Sequence, residues 1–121
     1  MSYDFYKVLH VLGLSLVVLS LGGILHHVIN GGSKVSDTFR KGTMMTHGIG
    51  LLLLLVAGFG MLAKQGVHSI PGWVGAKFAI WLVLGAFVAI AYKKQQLAKK
   101  FWLAIPALVV VATALAVFKT V

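Results

Sequence analysis

Four uninterrupted apolar stretches, at about residues 6–29, 44–63, 73–92 and 101–118, carry only two formally charged side chains between them, Lys7 and Lys77. Each is close to the ~20 residues that a helix rising ~1.5 Å per residue needs to cross ~30 Å of hydrocarbon. Apolar residues run on without the alternation of a barrel strand, so the stretches are predicted to be helices. The connections, 30–43, 64–72 and 93–100, are too short to hold a soluble domain. The expected architecture is one all-α integral membrane domain over residues 1–121, a four-transmembrane-helix antiparallel bundle.

Composition agrees. Of 121 residues 60% are hydrophobic, 11% are charged and none is Glu, whereas a soluble domain has roughly a quarter of its residues charged. The first apolar stretch is too long for the apolar segment of a signal peptide, and no small-x-small cleavage site follows it, so it reads as a retained first helix. With no Cys, disulfides, thiolate ligands and iron–sulfur clusters are excluded.

The net charge of +9 would suggest nucleic acid in a soluble protein, but here the cations sit in the connections and report topology instead. The first and third connections hold seven, Lys34, Arg40, Lys41, Lys93, Lys94, Lys99 and Lys100, against Lys7, Lys64, Lys77 and Lys119 toward the other side. The positive-inside rule then predicts both termini outside, with the first and third connections facing the cytoplasm. The "KKQQLAKK" run suits contact with anionic headgroups of the lipid bilayer.

Polar residues within the apolar stretches carry the functional signal, because an ionisable group in hydrocarbon is costly unless it finds a partner. His10, His26 and His27 lie in the first helix and His47 opens the second. Glycines within the stretches (Gly13, Gly22, Gly23, Gly48, Gly50, Gly58, Gly60, Gly85) are expected to mark seams where helix backbones approach. Gly13, Ser20 and His27 form one stripe of the first helix, with His10 ~60° from Gly13 at ~100° per residue. On the second helix His47, Gly50, Leu54, Gly58 and Met61 share a face. Lys77 follows Trp73 by one turn on the third helix, and Trp81 lies one turn further. Pro106 is expected near the start of the fourth helix, as a structural bend or an early-turn residue whose missing donor costs little.

Antiparallel threading sorts these residues by depth. His10, Met61 and Lys77 fall toward the outer end, and His26, His27 and His47 toward the inner end, ~25 Å away. Neutral imidazole is the usual membrane ligand for haem b, and helix bundles bind such cofactors between facing helices. Two pairings are open: His27 with His47 across the first connection, and His10 with Met61 or water at the other end. Lys77 would then pair with a propionate. The competing reading is polar packing or interfacial placement, with His26 at the headgroups and His68 in a Gly/Pro loop. "MMTH", from Met44 to His47, also suits Cu(I), since thioether and imidazole together favour it. No acidic residue lies within a helix, which argues against a proton-coupled antiporter.

The "KVLHVLG" entry to the first helix, "RKGTMMTHGIGLLLLLVAGFGML" in the second, "GWVGAKFAIWLVLGA" in the third and "AIPALVVVATALAVFK" in the fourth resemble a group of small bacterial membrane proteins. The group comprises SirB-type proteins, HemJ-type protoporphyrinogen oxidases and CopD-like copper-resistance domains, and the resemblance runs over essentially the whole chain. It implies that His10 corresponds to a haem-ligating histidine of the HemJ type and Lys77 to its lysine in the "W-x-x-A-K" motif. His47 matches a histidine that opens the second helix in the SirB type. Where the HemJ type has an arginine late in the first helix, this chain has Leu25, His26 and His27, and the mid-helix tryptophan is missing.

The expected function is therefore a membrane haem b-binding protein for electron transfer or porphyrin redox chemistry, of HemJ-like oxidoreductase character. His10, His27 and His47 are the candidate ligands, and Lys77 the propionate or substrate partner. A homo-oligomer or a membrane redox partner is expected. The alternative is a non-enzymatic accessory subunit or small transporter, copper handling included.

Overall fold

A computed structural model describes residues 2–33, 35–64 and 72–118, including every side chain among them except Trp73 and 115–118. Four helices follow one another: α1 (Tyr3–Ile29), α2 (Arg40–Lys64), α3 (Gly72–Lys93) and, after a single 3₁₀ turn at Gln95–Leu97, α4 (Ala98–Phe118). No strand occurs among the described residues, and all four helices are long and apolar enough to cross a membrane. The predicted all-α four-span bundle is the fold observed. α1, α2 and α4 each begin three or four residues before the apolar stretch they contain. Polarity marks where hydrocarbon ends, whereas Lys, Arg and Ala continue a helix readily into the interface.

The ends of α1 are set by local chemistry. Ser2 accepts a hydrogen bond from the Phe5 amide at 3.2 Å, an N-cap, and Asp4 lies in the first turn, where the helix dipole favours an anion. At the other end Gly31 adopts a φ of 88°, open to glycine without strain. The Gly31 amide bonds the Val28 carbonyl at 3.0 Å and the Gly32 amide the His27 carbonyl at 2.9 Å. This Schellman closure turns the chain sharply toward α2.

Packing is centred on α1, whose Val17, Leu21, Ile24 and Leu25 are fully buried. With Leu84, Phe87, Val88 and Ala91 of α3 and Ala98 and Ile105 of α4 they form the core. It fills the half of the bundle nearest the α1–α2 and α3–α4 connections. Phe87 stacks on Phe101 with ring centroids 4.3 Å apart, joining α3 to α4.

The α1–α2 contact is of another kind, backbone against backbone. A Cβ on Gly13 would lie 2.8 Å from the Gly50 carbonyl oxygen and 2.9 Å from the Leu54 nitrogen, and one on Gly50 would lie 2.8 Å from the Gly13 oxygen. Only glycine permits this approach, and dispersion between the two backbones takes the place that hydrophobic burial fills in water. The expectation that every glycine in the apolar stretches marks a seam needs correcting: a Cβ on Gly22, Gly23 or Gly48 would meet nothing within 4 Å. Pro106 lies deeper in its helix than an early-turn residue would. It is the ninth residue of α4, inside the helix, where it removes the amide that would bond the Trp102 carbonyl.

A polar strut holds the connection end. The Tyr92 hydroxyl of α3 donates to Asp37 Oδ2 at 2.8 Å, while Asp37 Oδ1 accepts from the Phe39 amide at 3.1 Å just before α2. Tyr92→Phe and Asp37→Asn are each expected to lower stability by about 1.5 kcal/mol. Unfolding in mixed detergent should show the double variant costing little more than either single one; additive losses would mean that the two do not act as a pair.

Candidate functional site

The other half of the bundle is hollow. Between the N-terminal halves of α1 and α3 and the C-terminal halves of α2 and α4 lies a cavity of about 520 Å³, within the range of small-molecule sites. Its walls are mostly apolar, and its polar members are few: Tyr3, Lys7 and His10 from α1, Lys77 and Trp81 from α3, and Thr113 from α4, with the Met61 thioether beside them.

His10 is held by α2. Its Nδ1 lies 3.2 Å from the Leu54 carbonyl oxygen, and a carbonyl can only accept, so Nδ1 carries a proton; in the neutral ring the lone pair is then on Nε2. Fixing one ring nitrogen on a backbone carbonyl is how proteins orient an imidazole whose other nitrogen binds a metal. A Cβ at Gly58 would sit 3.6 Å from His10 Cε1, in ordinary van der Waals contact, so the ring packs against this position without requiring glycine. Lys77 lines the same cavity as His10. The expected association of His10, Met61 and Lys77 at one end of the bundle is therefore observed: all three line the cavity.

The expected pairing of His27 with His47 is not made. His27 Nε2 donates to the Ser33 carbonyl at 2.9 Å and lies 3.2 Å from Ser36 Oγ, and Gly32 sits where any Cβ would run into the His27 ring. That ring clamps the α1–α2 connection. His47 is deeper, with Nδ1 3.2 Å from Ser20 Oγ, while the Ser20 hydroxyl donates to the Val17 carbonyl at 2.9 Å. Ser20 precedes His27 by two helical turns, ~10 Å of rise, so the two imidazoles meet different partners at different depths. His47 is only 4% exposed, and its Nε2 is buried without a hydrogen-bond partner among the described residues. It is not among the residues that line the cavity.

Other expectations resolve in the same way. His26 is exposed and its Nε2 lies 3.3 Å from the Asn30 side-chain amide, at the connection end of α1. His68 lies outside the described residues. Met44 and Met45 are exposed while His47 is buried, so the "MMTH" segment does not converge on one point as a copper site would. Among the described residues no group of three or more His, Cys, Asp or Glu could hold a metal ion. A metal at His10 would need most of its ligands from a cofactor.

Two contributors to the cavity escaped the sequence reading. Lys7 was counted only as a topological charge, although its place three residues before His10 puts both on one helix face. Trp81 donates from Nε1 to the Leu51 carbonyl at 2.9 Å, bridging α3 to α2, and its i+4 spacing from Lys77 was the available sign. The Leu54 carbonyl, a backbone group, leaves no trace in sequence. Comparison with protein-family models, curated proteins and solved structures gives no match for this chain.

Proposed function

We propose that the protein binds haem b in the cavity, with His10 as axial ligand through Nε2. The observation that carries this reading is the His10 Nδ1–Leu54 carbonyl bond, which orients the imidazole beside a mostly apolar cavity of about 520 Å³. Among the described residues no group of three or more His, Cys, Asp or Glu could hold a bare metal ion, whereas a porphyrin brings four ligands of its own. Lys7 and Lys77 would hold its carboxylates, and the Met61 thioether lines the same cavity. Bound haem would supply a one-electron couple, for electron transfer or for porphyrin redox chemistry of the HemJ type that the sequence resembles. The chain's own part is to fix the imidazole, neutralise the carboxylates and keep water out with the apolar walls. His27 and His47, engaged by the loop serines and by Ser20, act as structural residues in this reading. The protein would lie in the bacterial inner membrane with the cavity toward the outer face, as the distribution of cations in the connections supports.

Protein purified from cells supplied with a haem precursor should carry a Soret band, with haem equimolar to the chain. Lys77→Gln should weaken hemin binding about tenfold, roughly 1.4 kcal/mol, while leaving the band position unchanged. Protein that stays colourless after expression with haem and after addition of hemin refutes the proposal.

A further inference from the structure

The wall of the cavity between α2 and α3 is thin, and its position says where a ligand comes from. α1 and α2 touch backbone to backbone at Gly13 and Gly50, and α3 and α4 are joined by the Phe87–Phe101 stack. α2 and α3, by contrast, touch only sparsely. Where they part, Phe59 of α2 and Phe78 of α3 both line the cavity and also reach the outside, being 49% and 45% exposed. A side chain that does both marks the edge of an opening. On the side toward the core the opening is bounded by Trp81, which bonds the Leu51 carbonyl at 2.9 Å and stacks on Phe78 with centroids 5.4 Å apart. Both edges are apolar and lie inside the apolar spans, Phe59 five residues before Lys64 and Phe78 six residues after Gly72, with Lys77 adjoining Phe78 and lining the cavity. An opening so placed faces hydrocarbon and not water.

We infer that the cavity is filled sideways from the bilayer, through the gap between α2 and α3, by a membrane-dissolved amphipathic carboxylic acid. Its carboxylate comes to rest against Lys7 and Lys77, and its apolar body lies along Leu54, Leu55 and Leu84. The chemistry follows from the lining, which offers two cations at one end, hydrocarbon elsewhere, and no acidic side chain. A porphyrin propionate and a fatty-acyl carboxylate share this chemistry. The inference rests on the cavity being a ligand site, as proposed above, but not on the ligand containing iron.

Because the chain has no Cys, the variant Phe59→Cys/Phe78→Cys carries only two thiols, and a membrane-permeant bis-maleimide can tie the two edges together. In lipid nanodiscs two probes are used: hemin, and palmitate bearing a mid-chain diazirine whose adducts are mapped by mass spectrometry. Hemin uptake should slow about tenfold once the edges are tied, whereas protein loaded before tying should keep its spectrum, which shows that the fold survives. Diazirine adducts should concentrate on residues 55–62 and 78–84 over Leu19 and Leu103, which are 69% and 74% exposed elsewhere. Lys7→Gln/Lys77→Gln should remove that concentration, and hemin should compete with it. Equal uptake before and after tying, or adducts spread evenly over all exposed sites, overturns lateral entry even where hemin binds. Concentrated adducts with no hemin binding leave lateral entry standing for an acyl carboxylate and remove the haem reading alone.

Discussion

Gly13→Val is expected to destabilise the bundle by about 3 kcal/mol or more, the largest effect of any single substitution outside the cavity. A side chain at this position would need to occupy space held by the Gly50 carbonyl, Leu53 Cβ and the Leu54 amide. Two of these are backbone, which cannot rotate aside, so relief comes only by moving α2 away from α1. A loss of that size is a large fraction of the ~5–15 kcal/mol by which a typical domain is stable. Gly50→Val should behave alike, because the clash is reciprocal. Gly22→Val and Gly23→Val serve as controls within the same helix and should change stability by less than about 0.5 kcal/mol. Unfolding of the purified variants in mixed detergent reads all four. A loss at Gly22 equal to that at Gly13 would contradict the account of the α1–α2 seam. The effect extends to the site, since moving α2 carries the Leu54 carbonyl away from His10.

His10→Ala is expected to weaken hemin binding at least about a hundredfold, some 2.7 kcal/mol, and to abolish the imidazole-ligated Soret band. His10→Gly in the presence of added imidazole should restore the band, because the vacated volume fits the missing ring. His27→Ala should leave the band in place. Its ring serves the Ser33 carbonyl and Ser36, so the expected loss is about 1–2 kcal/mol of stability. His47→Ala should also keep the band position while lowering stability by about 2 kcal/mol or more, through the void left in the interior. A band abolished by His27→Ala or His47→Ala and retained in His10→Ala would reverse the assignment.

Span number, helix order and the company kept by His10, Met61 and Lys77 were legible in the sequence, because hydropathy, the rise per residue and antiparallel threading determine them together. Which glycines matter was not legible. Gly13 and Gly22 look alike in a sequence, and only the direction each faces separates a seam from open space. The failed pairing of His27 with His47 has a physical source as well. Similar depth was inferred from the ends of the apolar stretches, but α2 starts at Arg40, and Ser20 captures His47 well below the turn that His27 closes. Hydrogen-bonding residues one or two turns apart compete for the same imidazole, and spacing alone does not say which succeeds. Pro106 shows a related limit: the opening turn of α4 is built from polar residues that the apolar count ignored.

The most direct test of the account is an optical titration of the wild-type chain in lipid nanodiscs with hemin, run beside His10→Ala. The account predicts a Soret shift saturating at one hemin per chain in the wild type, and none in the variant beyond that of empty nanodiscs. No shift in the wild type, or the same saturable shift in both proteins, would contradict it.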